Sequence, residues 1–284
     1  MMTSLSQSET PTAQYIKPRG GGQLAILEVH AIILRRFLSG VLVYQTLTPL
    51  LYLWSLGIGL GSLVNHNSPS TLGVSYLAYV APGLIAATAL QIATSESMFP
   101  ILEGFRWNRR YYAMQATPLS PTQIGLGQLW MGGIQTAMTS AMYLLMVAVF
   151  GGIKSFGALL VVPIATLGAL AFAHLIAAYA ATLDRESTFF NIVLRFMVTP
   201  MFLFSGAFYP IASLPGWAQA VARISPLWHT TELCRAAAIG PLHLSSGAGH
   251  ISGTAVVVHL AYLLTLFAIG TWLTLRNYNR RLWS

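Results

Sequence analysis

Residues 76–99 read YLAYVAPGLIAATALQIATSESMF, with Glu96 as the one charged side chain. Crossing the hydrocarbon core of a bilayer takes about 20 consecutive apolar residues in a helix. In lipid every backbone N–H and C=O must be satisfied within the protein, which a helix does on its own. This stretch is long enough and apolar enough to be such a span.

Working outward, five more stretches qualify: 37–63 before it, and 124–150, 156–183, 189–208 and 253–275 after it. Composition agrees. Of 284 residues, 55% are hydrophobic and 8% charged, and the mean hydropathy is +0.64. A soluble domain carries roughly 25% charged residues, so the solvent for most of this surface is lipid. The expected fold is all-α: a polytopic membrane protein with six transmembrane helices and no large soluble domain.

Residues 23–37 contain Glu28, His30, Arg35 and Arg36 among Leu and Ile. The stretch is too short and too charged to span. It reads as an amphipathic helix lying in the membrane interface, with a plain extension of the first span as the alternative. Residues 1–22 are rich in Ser, Thr, Gln, Pro and Gly and lack an apolar signal-peptide core. They read as a disordered tail.

Lys and Arg accumulate on the cytoplasmic side of membrane proteins. With the N-terminus inside, Lys17, Arg19, Arg35, Arg36, Arg106, Arg109, Arg110, Arg185, Arg276, Arg280 and Arg281 are cytoplasmic. Lys154, Arg223 and Arg235 are outside, and Arg195 falls within the fifth span. Eleven against three places both termini in the cytoplasm. The net charge of +8 is thereby explained by topology, without a nucleic-acid partner.

Residues 209–240, between spans five and six, are apolar but broken by Pro210, Pro215 and Pro226, and also carry Trp217, His229 and Glu232. The segment reads as two short helices re-entering the outer leaflet, the alternative being a loop on the outer surface. Residues 243–253 form a polar loop.

Several chemistries are missing. Lys17 and Lys154 both follow Ile, so no Gly-Lys-Ser/Thr phosphate loop exists. Any ATP-driven function needs a second protein to bind the nucleotide, and the chain is not itself an enzyme. No HExxH or GxSxG pattern occurs, and Asp184 is the one aspartate. His229 and Glu232 share a helix face at i,i+3 but make a weak metal ligand set, as do His243 and His250. The lone Cys234 reads as a packing residue. No catalytic, cofactor or metal site is expected.

Two charges sit within spans: Glu96 near the inner end of the second and Arg195 within the fifth. They can pair at similar depth or each snorkel to the inner interface. A proton-coupled secondary transporter is the competing functional class, but a proton relay normally takes several buried acids. Gly57, Gly59 and Gly61 in the first span, and Gly132 and Gly133 in the third, are candidates for close helix approach.

Residues 99–121, FPILEGFRWNRRYYAMQATPLSP, combine Glu103, Arg106, Arg109 and Arg110 with Phe105, Trp107, Tyr111 and Tyr112. Aromatic residues and arginine are favoured both at protein interfaces and at headgroup depth. Here a resemblance adds to the reading. The stretches YVAPGLIAATAL (79–90), FRWNRRYYAMQATPLSP (105–121), FLFSGAFYPIASLPGWAQ (202–219) and SPLWHTTELCRAAAIG (225–240) resemble the permease subunits of type-2 ABC exporters. Among these the chain is most similar to the nodulation-type lipo-oligosaccharide and daunorubicin-resistance type export permeases, over residues 32–280.

The resemblance implies a bacterial inner-membrane permease of six helices, working as a homo- or heterodimer with two ATPase subunits that carry the ATP. The loop after span two would hold a coupling helix, about 103–114, that docks on the ATPase. Residues 23–37 would be the connecting helix bordering the ATPase, and the broken outer segment would be paired re-entrant helices. The expected cargo is amphiphilic: a drug, a lipid or a lipo-oligosaccharide.

Overall fold

The computed structural model describes residues 21–55, 59, 74–153, 155–183, 188–239 and 252–283. The tail before residue 21, the Arg185 loop, Lys154, His243 and His250 lie outside these. Among the described residues every regular element is helical. We number them α1 (Gly22–Leu53), α2 (Tyr76–Arg106), α3 (Arg110–Gln115), α4 (Pro121–Val149), α5 (Val161–Ala180, entered through a 3-10 turn at Phe156–Leu160), α6 (188–204), α7 (Gly216–Ile224), α8 (Pro226–Ile239) and α9 (Gly253–Trp283).

Four helices are long and apolar enough to cross a membrane: α2, α4, Phe156–Ala180 and α9. They correspond to the expected second, third, fourth and sixth spans. The first and fifth are different. α1 has the length, but polar residues such as Gln45, Thr46 and Thr48 dilute its hydropathy, and 56–58 and 60–63 lie outside the described residues. α6 has an apolar helical stretch of only Phe190–Phe204, about 22 Å at 1.5 Å per residue, against a core of about 30 Å. Its middle, Val193–Val198, is a π-helix, a wider turn that shortens the rise further and often marks a functional bend.

α1 also corrects the boundary drawn at residue 37. Gly22–Leu53 is one unbroken helix, because nothing between Arg35 and Gly40 breaks the ladder. Its first turns run beside the first turns of α4. A Cβ on Gly127 would meet Ile26 at 2.9 Å, and one on Gly22 would meet the Gln123 carboxamide at 2.8 Å.

α2 is the centre of the bundle. In its most apolar window 78% of residues are buried, against 17% for α9. It packs on α5, α4 and α8, while α9 closes the far side against α5 and α4. Small side chains make this possible: Ala78, Ala81, Ala86, Ala87, Ala89 and Ala93 are all buried, and small residues let helix backbones approach closely. The helix starts on Ser75, whose Oγ accepts the Ala78 N–H at 3.4 Å. It then continues through Pro82 and Pro100 to Arg106, seven residues past the expected end at Phe99. α4 opens with a capping box, in which Ser120 and Gln123 each bond the other's backbone N–H, and with Pro121 in its first turn. Both are strong start signals.

The ends of α2 and α9 and the starts of α1 and α4 meet at one end of the bundle, with α3 across it. Because Arg106, Arg109, Arg110 and Arg281 gather there, we call it the basic end. At the opposite end, α7 and α8 fill the region between α6 and α9.

Candidate functional site

At the basic end, the residues of 103–111 divide into a displayed group and an anchoring group. The chain leaves α2 at Arg106, turns at Trp107, Asn108 and Arg109, and re-enters a helix at Arg110. The short helix is thus α3, Arg110–Gln115; Glu103, Phe105 and Arg106 belong to the last turns of α2. The expected helix over 103–114 is therefore replaced by a helix, a tight turn and a second, shorter helix. Arg109 makes the turn with φ 51°, the one described non-glycine residue in the left-handed region, a conformation that costs energy and clusters at functional sites. Asn108 ties the turn together. Its Nδ2 donates to Glu103 Oε1 at 3.0 Å, and its Oδ1 accepts the Arg110 N–H at 3.1 Å.

Beneath the turn lies an aromatic base. Phe105 stacks edge-on against Tyr111 (4.7 Å) and Tyr278 of α9 (4.9 Å), and Tyr111 against Tyr278 (5.3 Å). All three rings are fully buried. Gly104 is required here, because any Cβ would run into the Tyr111 ring. The Tyr111 hydroxyl and Arg110 Nη2 both donate to Gln128 Oε1 of α4, at 3.1 and 3.0 Å, and Arg110 Nη2 also donates to the Pro100 carbonyl at 3.1 Å. Burial pushes the Tyr111 phenol above its ordinary value, so it stays a neutral donor. Arg281 lies over the Phe105 ring at 4.5 Å and donates to the Ala181 and Leu183 carbonyls at the end of α5. Gln115 reaches the Leu282 carbonyl.

The base therefore joins α2, α3, α4, α5 and α9 into one unit. Above it, Arg106, Trp107 and Arg109 are exposed, Trp107 by 59%. Phe105, Arg110 and Tyr111 face inward as anchors. Nothing in the spacing of the sequence points to Gln128, Tyr278 or Arg281 as their partners, because these come from helices distant along the chain.

The intramembrane charges do not pair. Glu96 Oε1 accepts from Gln135 Nε2 of α4 at 3.0 Å, whereas Arg195 is exposed on the π segment of α6. α6 presents Arg195 away from the bundle, and Gln135 faces α2 directly.

At the opposite end, the broken segment is a 3-10 turn at Ile211–Ser213 followed by α7 and α8. Pro210 precedes the turn, Pro215 caps α7 and Pro226 opens α8, each at a start position where its missing N–H costs nothing. Trp217 is 67% exposed on α7. His229 and Glu232 share a face of α8 but bond elsewhere. Glu232 makes an ion pair with Arg235 at 2.9 Å, the one ion pair among the described residues. His229 Nδ1 lies 2.6 Å from His259 Nδ1 of α9, its Nε2 donates to the Arg223 carbonyl, and its ring stacks on Tyr262. Among the described residues no group of three or more potential ligands gathers.

Comparison with known proteins agrees with this architecture. Residues 23–239 match the family described as ABC-2 type transporter. The chain is 30% identical to nodulation protein J of Rhizobium meliloti (strain 1021) over 229 residues, 81% of this chain and 83% of that protein. It is 32% identical to nodulation protein J of Rhizobium leguminosarum bv. trifolii over 195 residues, covering 68% and 71%. Against the bv. viciae protein it is 29% identical over 235 residues, covering 82% and 85%. With four membrane-length helices and this match over most of its length, the chain belongs to the ABC-2 type transporter family, as a membrane permease of the nodulation protein J kind.

Proposed function

We propose that the chain is the path-forming subunit of an ATP-driven exporter of amphiphilic molecules, with six spans and both termini in the cytoplasm. It works beside a second permease copy or homologue and two ATPase subunits. The observation that carries this reading is the exposed Arg106–Trp107–Arg109 turn on a rigid aromatic base. An exposed tryptophan flanked by arginines has the composition of an interface hot spot. The base passes any push on the turn into α2, α4 and α9 together, since packed helices shift between discrete arrangements rather than deform continuously.

In this orientation the basic end is cytoplasmic, where nucleotide-binding partners work. α6 and α1 complete the six spans through partly polar helices, and α7 and α8 re-enter from the outside. Glu96 is a hydrogen-bonded structural acid, and the energy comes from ATP.

The test is ATPase activity of the chain reconstituted with its ATPase partner across a panel of amphiphiles. Stimulation by one class of lipid-like compound, unchanged in Glu96→Gln, is expected. Transport that follows a proton gradient without ATP and disappears in Glu96→Gln would overturn the reading.

A further inference from the structure

The last carbonyls of α7 find no partner in a continuing helix, because Pro226 follows and has no N–H to extend the ladder. Side chains from two other helices take them up. His229 Nε2 of α8 donates to the Arg223 carbonyl at 3.0 Å, and the Tyr262 hydroxyl of α9 donates to the Ile224 carbonyl. His229 in turn meets His259 of α9, Nδ1 to Nδ1 at 2.6 Å. The Tyr262 ring stacks on His229 at 4.1 Å, and Trp228 stands edge-on to both imidazoles at 4.8 and 5.0 Å. Both histidines are buried, at 7% exposure each. The contacts around this one pair pin α7, α8 and α9 to one another.

The partners fix the proton count. His229 Nε2 faces a carbonyl, so it carries the proton, and Nδ1 of the neutral ring is a lone pair. The 2.6 Å contact is then donated by His259 Nδ1–H. One added proton fits. His229 becomes the donor at Nδ1, and His259 moves its single proton to Nε2. The resulting cation lies at the C-terminal end of α7, where the helix dipole favours positive charge. A second proton does not fit. Two imidazolium rings set N–H against N–H across this contact, with like charges and no acceptor between them.

Among the described residues no free acid relieves that repulsion. Glu232, one turn along α8, is held by Arg235 at 2.9 Å, and Arg235 lies over Tyr79 of α2. α7 brings Arg223 and α6 brings Arg195, both exposed cations. α5 carries His174, whose partner Thr271 is twelve residues further along α9 than His259, and Tyr179 lies further still.

We infer that the His229–His259 pair is a proton-operated latch: it holds α7, α8 and α9 together with up to one added proton and releases them when both rings are charged. The latch is a property of the fold at this end, independent of which way the chain faces the membrane and of what drives transport.

Free histidine takes up a proton near pH 6.5, so the latch is at full strength above about that pH and weakens by up to about tenfold for each unit below it. The test uses the full chain in phosphatidylcholine nanodiscs. Amide hydrogen exchange of Gly216–Ile224 and Pro226–Ile239, normalised to the intrinsic rate at each pH, should rise about tenfold between pH 7 and pH 5. The imidazole 15N signals of His229 and His259 should show the pair taking up protons over the same range. His259→Gln keeps a donor for His229 Nδ1 but takes no charge, so the rise should vanish. Exchange that stays flat in the wild type would overturn the inference. So would a rise while both rings stay neutral, or a rise that persists in His259→Gln, which would place it on Glu232. The wild-type arms decide the question even where the variant fails to fold.

Discussion

Arg235 shows what one residue does in this bundle. It is 3% exposed. It pairs with Glu232 at 2.9 Å, donates to the Gly206 carbonyl at 2.8 Å, and lies 3.9 Å over the Tyr79 ring. One guanidinium thereby ties α8 to α2 and to the turn after α6, using a planar fork that lysine lacks. Removing it leaves Glu232, 16% exposed, without its cation, which costs up to about 3 kcal/mol, the lower end for a buried pair. Arg235→Met should lower the unfolding free energy measured in denaturant by that amount, and adding Glu232→Gln should recover a large part of it. Read from the sequence, Arg235 is one more external charge: Glu232 is within local reach at i,i+3, but the partners at positions 79 and 206 are distant along the chain and no local spacing joins them to it. The exposed residues at the basic end are more legible: a mixed cluster of arginines and aromatics at a helix boundary fits a protein interface or headgroup depth by composition, and the family resemblance points to the former. Which of them face outward is not legible, and Arg110 is an anchor rather than a displayed cation.

Among the elements, the spans with long uninterrupted apolar runs are readable directly, since length against bilayer thickness settles them. α2 ends at Arg106 and α9 at Trp283, seven and eight residues beyond the stretches drawn from the sequence, and α5 proper starts at Val161 after a 3-10 turn from Phe156. α2 runs on past Phe99 because Pro100 is accommodated inside the helix, and α1 runs unbroken because no breaker separates its charged start from its apolar end. Close helix approach is not readable in this way. Of the glycines singled out by sequence, a Cβ on Gly59 would meet nothing within 4 Å, one on Gly132 only the Glu96 Cβ at 4.0 Å, and one on Gly133 the Leu170 Cδ1 methyl at 3.3 Å, while Gly57 and Gly61 lie outside the described residues. Tight contacts fall at other glycines, among them Gly83, where a Cβ would meet the Ala207 Cα at 2.8 Å. Backbone cannot step aside as a side-chain tip does, so Gly83→Val should destabilise by about 1–3 kcal/mol. Gly40→Ala, in open space on α1, should be neutral or stabilising, given the helix preference of alanine over glycine. Parallel thermal melts of the two variants check this.

At the scale of the whole molecule, the two ends of the bundle are built differently. The opposite end is closed by short helices, prolines and a buried ion pair. The basic end presents exposed cations on a base of interlocked side chains drawn from several helices. The proposed function rests on that asymmetry: an exposed basic and aromatic turn on a base that joins helices of membrane-crossing length. The most direct measurement is co-purification of the chain with its P-loop ATPase, comparing wild type with Arg106→Glu/Arg109→Glu. These side chains are exposed, so the variant should insert and fold as the wild type does. The account predicts that the wild type retains the ATPase and the variant loses most of it, at least tenfold, together with transport. Equal retention of the ATPase by both proteins, with transport intact, would contradict it.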